Sequence, residues 1–182
     1  MPARQPLPYI WLLSDARNDA GLEEALRVLP EASGFVFRHY HLDEGRRKTA
    51  FLALKLVAQI FGHKVILSGP PDLARAWGAD GIYGATGTLG PPGDLLRLAT
   101  AHEGGELQAA AAAQADGVFL SPVFPTRSHP GGSALGPMGF SVLAQQVSLP
   151  VIALGGMTRA RSATYGIARW GAIDGLSADT DS

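Results

Sequence analysis

The sequence predicts an α/β protein: a small (β/α)8 TIM barrel that lacks the helix between its fourth and fifth strands and the C-terminal helix. Short apolar runs alternate with helix-like stretches along nearly the whole chain, as in a parallel sheet covered by helices. The runs are apolar throughout, which is typical of strands buried on both faces. The 182 residues are fewer than the roughly 250 usual for such barrels, so some connections must be short.

The first half of the chain contains four predicted strands and three predicted helices. The strands are predicted at 8–15, 34–41, 64–67 and 80–83, and the helices at 20–29, 45–61 and 70–77. Three glycines and two prolines then fall within residues 85–93. Because proline and glycine disfavour a helix interior, no helix is expected between the fourth and fifth strands.

The second half continues the same alternation. Strands are predicted at 95–100, 117–120, 151–154 and 172–177, and helices at 106–114, 140–146 and 159–170. The chain ends after the eighth strand, so we expect a single domain over residues 1–182 without a final helix. An open doubly wound sheet is the alternative, but the first strand is not followed by Gly-x-Gly-x-x-Gly.

The composition narrows the class of protein. Hydrophobic residues make up 46% and charged residues 17% of the chain, which favours a globular fold over disorder. The net charge of −1 argues against a nucleic-acid partner, and the absence of cysteine excludes disulfides and thiolate chemistry. The apolar run at 9–13 is too short for a membrane span or a signal core, so we expect a cytoplasmic protein with no membrane partner.

Two predicted strand ends carry groups suited to binding an oxyanion. The loop after the strand at 117–120 offers hydroxyl, guanidinium and imidazole groups from Ser121, Thr126, Arg127, Ser128 and His129. The strand at 151–154 ends in Gly155-Gly156, where a phosphate can approach backbone N–H groups with no Cβ in the way. Because parallel strands end at one face of the sheet, we expect a phosphate site there.

The segment SLPVIALGGMT at residues 148–158 is similar to S-[IL]-P-V-[IV]-A-[IL]-G-G-[IM]-T of the thiamine-phosphate synthase and thiazole tautomerase superfamily. Further matches are ADGV at 115–118, SPVFPT at 121–126, LG at 135–136 and GADGI at 78–82. The chain from its first strand to Ser177 resembles this superfamily of small barrels from thiamin biosynthesis.

The resemblance implies a transferase that joins a pyrimidine pyrophosphate to thiazole phosphate with the help of Mg²⁺, so the implied partner is a small phosphorylated molecule. It implies catalytic roles for Arg38 and His129. It implies phosphate binding by Thr126, Ser128, Gly136, Gly155, Gly156 and Ser177. It places Tyr40, Thr100, His102 and Ser121 elsewhere in the pocket.

The chain departs from the family in the half of the site that holds metal and pyrophosphate. The two family carboxylates that bind Mg²⁺ fall at Gly69 and Thr88, and two family lysines fall at Tyr40 and His129. We therefore expect no metal ligands at this site and poor synthase activity, since the departing pyrophosphate needs its charge neutralised.

Alternatives remain open for individual residues. Arg38 either binds an anion or pairs with Asp15 or Asp43, and Gly155-Gly156 is either a phosphate cradle or a tight turn. His102 and His129 are either site residues or solvated loop histidines. Strand alternation points His39 and His41 away from Arg38, so we expect them to pack or to face solvent. The three tryptophans are expected to pack in the core.

Alternatives also remain for the whole chain. It is either a synthase-like enzyme, a non-catalytic phosphate-binding or scaffold barrel, or a thiazole tautomerase-like isomerase, although Pro122 stands where the tautomerase branch has its catalytic histidine. The missing helices would leave apolar surface over strands four, five and eight, from which we expect a homodimer.

Overall fold

The computed structural model describes residues 6–128 and 130–176. Eight parallel strands pair in chain order and close into a barrel, with the eighth strand paired to the first. This confirms the predicted fold class. Six α-helices follow strands one, two, three, five, six and seven within the described residues.

The strands and helices have the following bounds. The strands are β1 Ile10–Leu13, β2 Gly34–Phe37, β3 Lys64–Ser68, β4 Gly81–Ala85, β5 Leu96–Ala101, β6 Gly117–Leu120, β7 Val151–Ala153 and β8 Trp170–Ala172. The helices are α1 Leu22–Val28, α2 Glu44–Ile60, α3 Pro71–Trp77, α4 Gly104–Ala112, α5 Gly136–Ala144 and α6 Arg159–Tyr165.

The interior of the barrel is filled by aliphatic side chains around three aromatic rings. Trp11 and Tyr83 pack edge-to-face against Phe119, with ring centroids 5.6 and 5.3 Å from it. Trp11 has no exposed surface and lies over Gly34, where any Cβ would overlap the indole ring. Pairing one large residue with one glycine lets a narrow barrel close around a packed core.

A repeated Ala-Asp-Gly sequence ties neighbouring strands together at the start of β4 and β6. The Asp80 carboxylate accepts a hydrogen bond from the Val65 N–H at 2.7 Å, and Asp116 accepts one from the Arg97 N–H at 2.8 Å. Each carboxylate therefore holds the preceding strand in register.

The connection between β4 and β5 contains no α-helix, as predicted, only a 3-10 turn at Thr86–Thr88. Leu89 and Leu95 are buried against the outside of the barrel. The Arg97 side chain is also buried, and it donates to the carbonyl oxygens of Leu89, Gly90, Ala113 and Gln114 at 2.8–3.4 Å. A loop and one arginine thus cover the barrel where a helix would normally lie.

The prediction of an exposed apolar patch over strands four, five and eight is wrong, because apolar side chains of all three strands are buried. Ile82 of β4 and Ala99 of β5 are 1% and 0% exposed. Trp170 and Ala172 of β8 are also buried. The exposed apolar side chains include instead Leu52, Leu56 and Ile60 along α2.

Several element bounds differ from the prediction for local reasons. α6 ends at Tyr165 because Gly166 adopts a left-handed conformation, and β8 begins at Trp170, so the predicted helix was too long and the strand too late. β2 ends at Phe37 because the backbone leaves the strand conformation at His39, with φ +41°. Both differences follow from one residue in an uncommon conformation.

The question of a helix after β8 falls on residues 177–182, which lie outside the described residues. Within the described part of the chain, every helix is too short or too polar to cross a bilayer.

Candidate functional site

A pocket of about 700 Å³ opens at the carboxyl ends of the strands. The loops that follow most of the strands contribute to it, which is the usual position of sites in (β/α)8 barrels. It brings together ten of the residues predicted from the sequence. These are Arg38, Tyr40, Thr100, His102, Ser121, Thr126, Arg127, Ser128, Gly155 and Gly156.

Three predicted residues are not part of this described pocket. Gly136 does not line it, and the Gly136 N–H already donates to the Val123 carbonyl oxygen at 2.9 Å as α5 begins. His129 and Ser177 lie outside the described residues.

Gly155 and Gly156 form a tight turn between β7 and α6. Both have positive φ angles, +94° and +61°. A Cβ on Gly155 would lie 2.8 Å from the backbone of Pro122, and one on Gly156 would lie 2.7 Å from the Pro125 carbonyl oxygen. The close approach of the two loops therefore requires glycine before any ligand is considered.

The same turn lines the pocket and offers backbone N–H groups. The Leu154 and Gly155 carbonyl oxygens accept hydrogen bonds from the Val123 and Phe124 N–H groups at 2.9 and 3.0 Å. Within the described residues, the structure records no acceptor for the N–H groups of Gly155 and Gly156. The turn therefore combines tight packing with two backbone donors suited to an anion.

Four arginines line the pocket: Arg17, Arg38, Arg127 and Arg161. Arg38 and Arg127 were among the residues predicted from the sequence. Arg17 and Arg161 were missed. Arg17 lies in the connection after β1, and Arg161 lies in the first turn of α6, which follows β7. A position in a connection after a strand is the general signal for such residues, but it does not indicate which long side chains reach the pocket.

Arg38 pairs with Asp15, at 3.1 Å between Nη2 and Oδ2, rather than with Asp43. Its Nε donates to the Ser14 carbonyl oxygen at 2.8 Å, and its backbone N–H donates to the Ser14 hydroxyl at 2.7 Å. Arg38 therefore forms the ion pair and lines the pocket at the same time. The guanidinium is therefore held in place from behind while it lines the pocket.

Arg17 and Arg161 are also held by specific contacts. Arg17 donates to Ser128 Oγ at 3.0 Å, which joins the loop after β1 to the loop after β6. Arg161 donates to the Gly156 carbonyl oxygen and lies over the Phe124 ring, 4.5 Å from its centroid. Both side chains are thus fixed beside the predicted phosphate turn.

Tyr83 forms part of the pocket floor. Burial raises the pKa of its phenol to about 12, against the opposing influence of Arg38. The phenol is therefore neutral around pH 7 and available as a hydrogen-bond donor. At the rim, Tyr40 Oη lies 2.6 Å from Ser68 Oγ, and His102 Nδ1 lies 2.9 Å from the Ser121 carbonyl oxygen.

The acidic side chains around the pocket are few. Among the described residues that line it, Asp174 is the one carboxylate, and its Oδ2 lies 3.7 Å from Arg17 Nη1. Ser68 is the last residue of β3 and Gly69 follows it, and residues 86–88 after β4 are Thr-Gly-Thr. The polar part of the lining consists mainly of cationic, hydroxyl and backbone donors, a set that suits a phosphate group.

The chain is similar to known proteins over most of its length. The family model for thiamine monophosphate synthase matches residues 13–172. A putative thiamine-phosphate synthase from Geobacter sulfurreducens is 30% identical over 193 residues, spanning 94% of this chain and 88% of the relative. A thiamine-phosphate synthase from Chloroflexus aurantiacus is 27% identical, spanning 83% of this chain and 73% of the relative.

A solved structure of thiamine phosphate pyrophosphorylase from Pyrococcus furiosus has the same fold. It superposes with a TM-score of 0.76 at 20% identity, covering 94% of this chain and 89% of its own.

Proposed function

Because the chain belongs to the thiamine monophosphate synthase family, we propose that its pocket binds thiazole phosphate and that it couples this ligand to a pyrimidine pyrophosphate only weakly. The observation that carries the proposal is the juxtaposition of the Gly155-Gly156 turn with Arg161, Thr126 and Ser128 in one pocket. Backbone N–H groups, a guanidinium and hydroxyls are the donors that recognise a phosphate monoester.

The weak coupling follows from the composition of the other half of the pocket. Mg²⁺ binds through carboxylate oxygens together with substrate phosphates. The described lining offers the single carboxylate of Asp174, which already faces Arg17, and three further arginines line the same pocket. These residues do not fit a magnesium site. The arginines supply positive charge that binds a phosphorylated ligand, but a guanidinium does not replace the metal coordination of the departing pyrophosphate.

Ligand binding is tested by thermal unfolding with thiazole phosphate. A ligand at about 100 times its Kd stabilises the folded state by about 2.7 kcal/mol, which raises the Tm of a chain of this size by about 5–10 °C. Arg161→Gln should weaken binding about 10- to 100-fold, since it removes one charged hydrogen-bond donor. Arg75→Gln is the matched control, because Arg75 lies outside the pocket and pairs with the exposed Asp94.

No stabilisation by thiazole phosphate or by any other phosphate ester would overturn the binding proposal and favour a scaffold role. An equal effect of Arg161→Gln and Arg75→Gln would also contradict it, because the ligand would then bind elsewhere.

Coupling activity is a separate measurement. With both substrates and Mg²⁺ supplied, we expect turnover at least about 100-fold below that of a family member with both metal carboxylates, comparable to the loss of one transition-state contact or more. Turnover equal to that of such a member would show that other groups replace the missing ligands.

A further inference from the structure

A second group of ligating side chains lies outside the pocket, on the β1–α1 and β2–α2 loops. Within residues 6–128 and 130–176, the ligand atoms of Asp19, His39 and His41 lie within 4.8 Å of one another. None of the three lines the phosphate pocket. We propose that they bind one divalent transition-metal ion of the Zn²⁺ type.

The donor set matches the chemistry of such an ion. Two imidazole nitrogens and one carboxylate are common ligands of Zn²⁺, Co²⁺ and Ni²⁺, whereas Mg²⁺ prefers oxygen alone. His39 Nε2 lies 2.8 Å from Asp19 Oδ1, and His41 Nε2 lies 3.9 Å from Asp19 Oδ2. Ligand atoms about 2.0–2.1 Å from a tetrahedral ion are about 3.3 Å apart, so each of these two distances differs from that value by roughly half an ångström, and all three ligand atoms lie within 4.8 Å of one another.

His39 is held ready to ligate by its surroundings. Its side chain is fully buried and stacks on the Phe37 ring, with centroids 4.4 Å apart and planes 14° from parallel. Its Nδ1 lies 2.8 Å from Ser14 Oγ. When Nδ1–H donates to that hydroxyl, Nε2 has its lone pair free for a metal, which is the usual second contact of a ligating histidine.

The other two ligands give the ion access from solvent. The side chains of Asp19 and His41 are 50% and 34% exposed, in contrast to His39. An ion can therefore enter from the surface, take the place of the direct contact between Asp19 and His39, and keep water in its remaining position. The positive φ of His39, +41°, turns its ring toward His41 on the same side of the loop, a conformation that is uncommon for a residue with a side chain.

An ion at this site would connect two loops of the barrel. Asp19 follows Arg17 on the β1–α1 loop, and His39 follows Arg38 at the end of β2. The ion would join these two loops, and the Ser14 hydroxyl already accepts a hydrogen bond from the Arg38 N–H while contacting His39. Metal binding would thus fix the loops that carry two of the pocket arginines.

The test is a Co²⁺ absorption titration of the tag-free full chain, followed by displacement with Zn²⁺. We expect one ion per chain, with visible bands of the intensity typical of nitrogen and oxygen ligands at low coordination number. His41→Ala and Asp19→Asn should each weaken binding at least about tenfold, since even the loss of an outer contact costs about 10- to 100-fold. His102→Ala and Asp72→Asn remove a histidine and an exposed carboxylate elsewhere, and should leave the affinity unchanged.

The proposal is overturned if wild-type chain shows no such bands, or if the two ligand variants bind Co²⁺ as tightly as the two controls. A second measurement needs no variant: anomalous scattering at the zinc edge from a soaked crystal should place the ion between His39 and His41. A zinc peak elsewhere would contradict the assignment. Neither result depends on whether the pocket binds thiazole phosphate.

Discussion

Gly155 shows how one residue can serve both the fold and the site. Its φ of +94° and the nearby Pro122 backbone leave no room for a side chain. We expect Gly155→Ala to reduce the free energy of unfolding by about 3 kcal/mol, since strained backbone and overlap both contribute. Urea denaturation followed by circular dichroism measures this change.

Gly166→Ala is the matched control for that substitution. Gly166 also has positive φ, +65°, but nothing lies within 4 Å of the position of its Cβ. It should cost about 1 kcal/mol, the strain of the left-handed conformation alone. Equal losses for the two variants would show that contact with Pro122 does not constrain the β7–α6 turn.

The sequence is informative about some residues of the site and uninformative about others. Ser121 and the glycine pair could be predicted because they come just after apolar strands, and Thr126 and Ser128 because they belong to the same polar loop after β6. Arg17 and Arg161 could not be singled out in the same way. Each lies two or more residues beyond its strand, and whether a long side chain reaches the pocket depends on the contacts to Ser128 and Phe124.

At the scale of elements, the β4–β5 connection depends on Arg97. This buried side chain donates to four carbonyl oxygens from two loops. We expect Arg97→Met to lower the free energy of unfolding by about 3 kcal/mol, because the carbonyl oxygens lose their donors in a buried position. Urea denaturation again gives the value.

Arg97→Lys should fail to restore that stability, since a single ammonium cannot match the planar set of donors. The exposed Arg75→Met provides the baseline and should change stability by less than about 0.5 kcal/mol. A loss for Arg97→Met no larger than this baseline would show that the loop holds its place by apolar packing alone.

Some features of the helices and strands could be predicted from the sequence, and others could not. The absence of a helix in residues 85–93 followed from its glycines and prolines, and the structure agrees. The cover over β4 and β5 did not follow, since nothing local in the sequence indicates that Arg97 is buried rather than exposed. β8 was placed too late because the buried Trp170 was taken as the end of a helix.

At the scale of the molecule, the homodimer stays a prediction, but the surface through which we expect it to form is now α2 instead of strands four, five and eight. Leu52, Leu56 and Ile60 are 40%, 66% and 74% exposed and recur every four residues along α2, so they form one apolar stripe. We expect sedimentation at micromolar concentration to show a dimer that Leu56→Glu dissociates. Val142→Glu on α5 is the control, and a wild-type monomer would contradict the prediction.

The central claim is that the rim of this reduced barrel recognises a phosphate group. Its most direct test is calorimetric titration with thiazole phosphate and, separately, with the same thiazole alcohol lacking the phosphate, both without Mg²⁺. The account predicts that the phosphate ester binds with one site per chain and at least about 100-fold more tightly than the alcohol, about 2.7 kcal/mol. Equal affinities for the two compounds, or binding of neither, would contradict it.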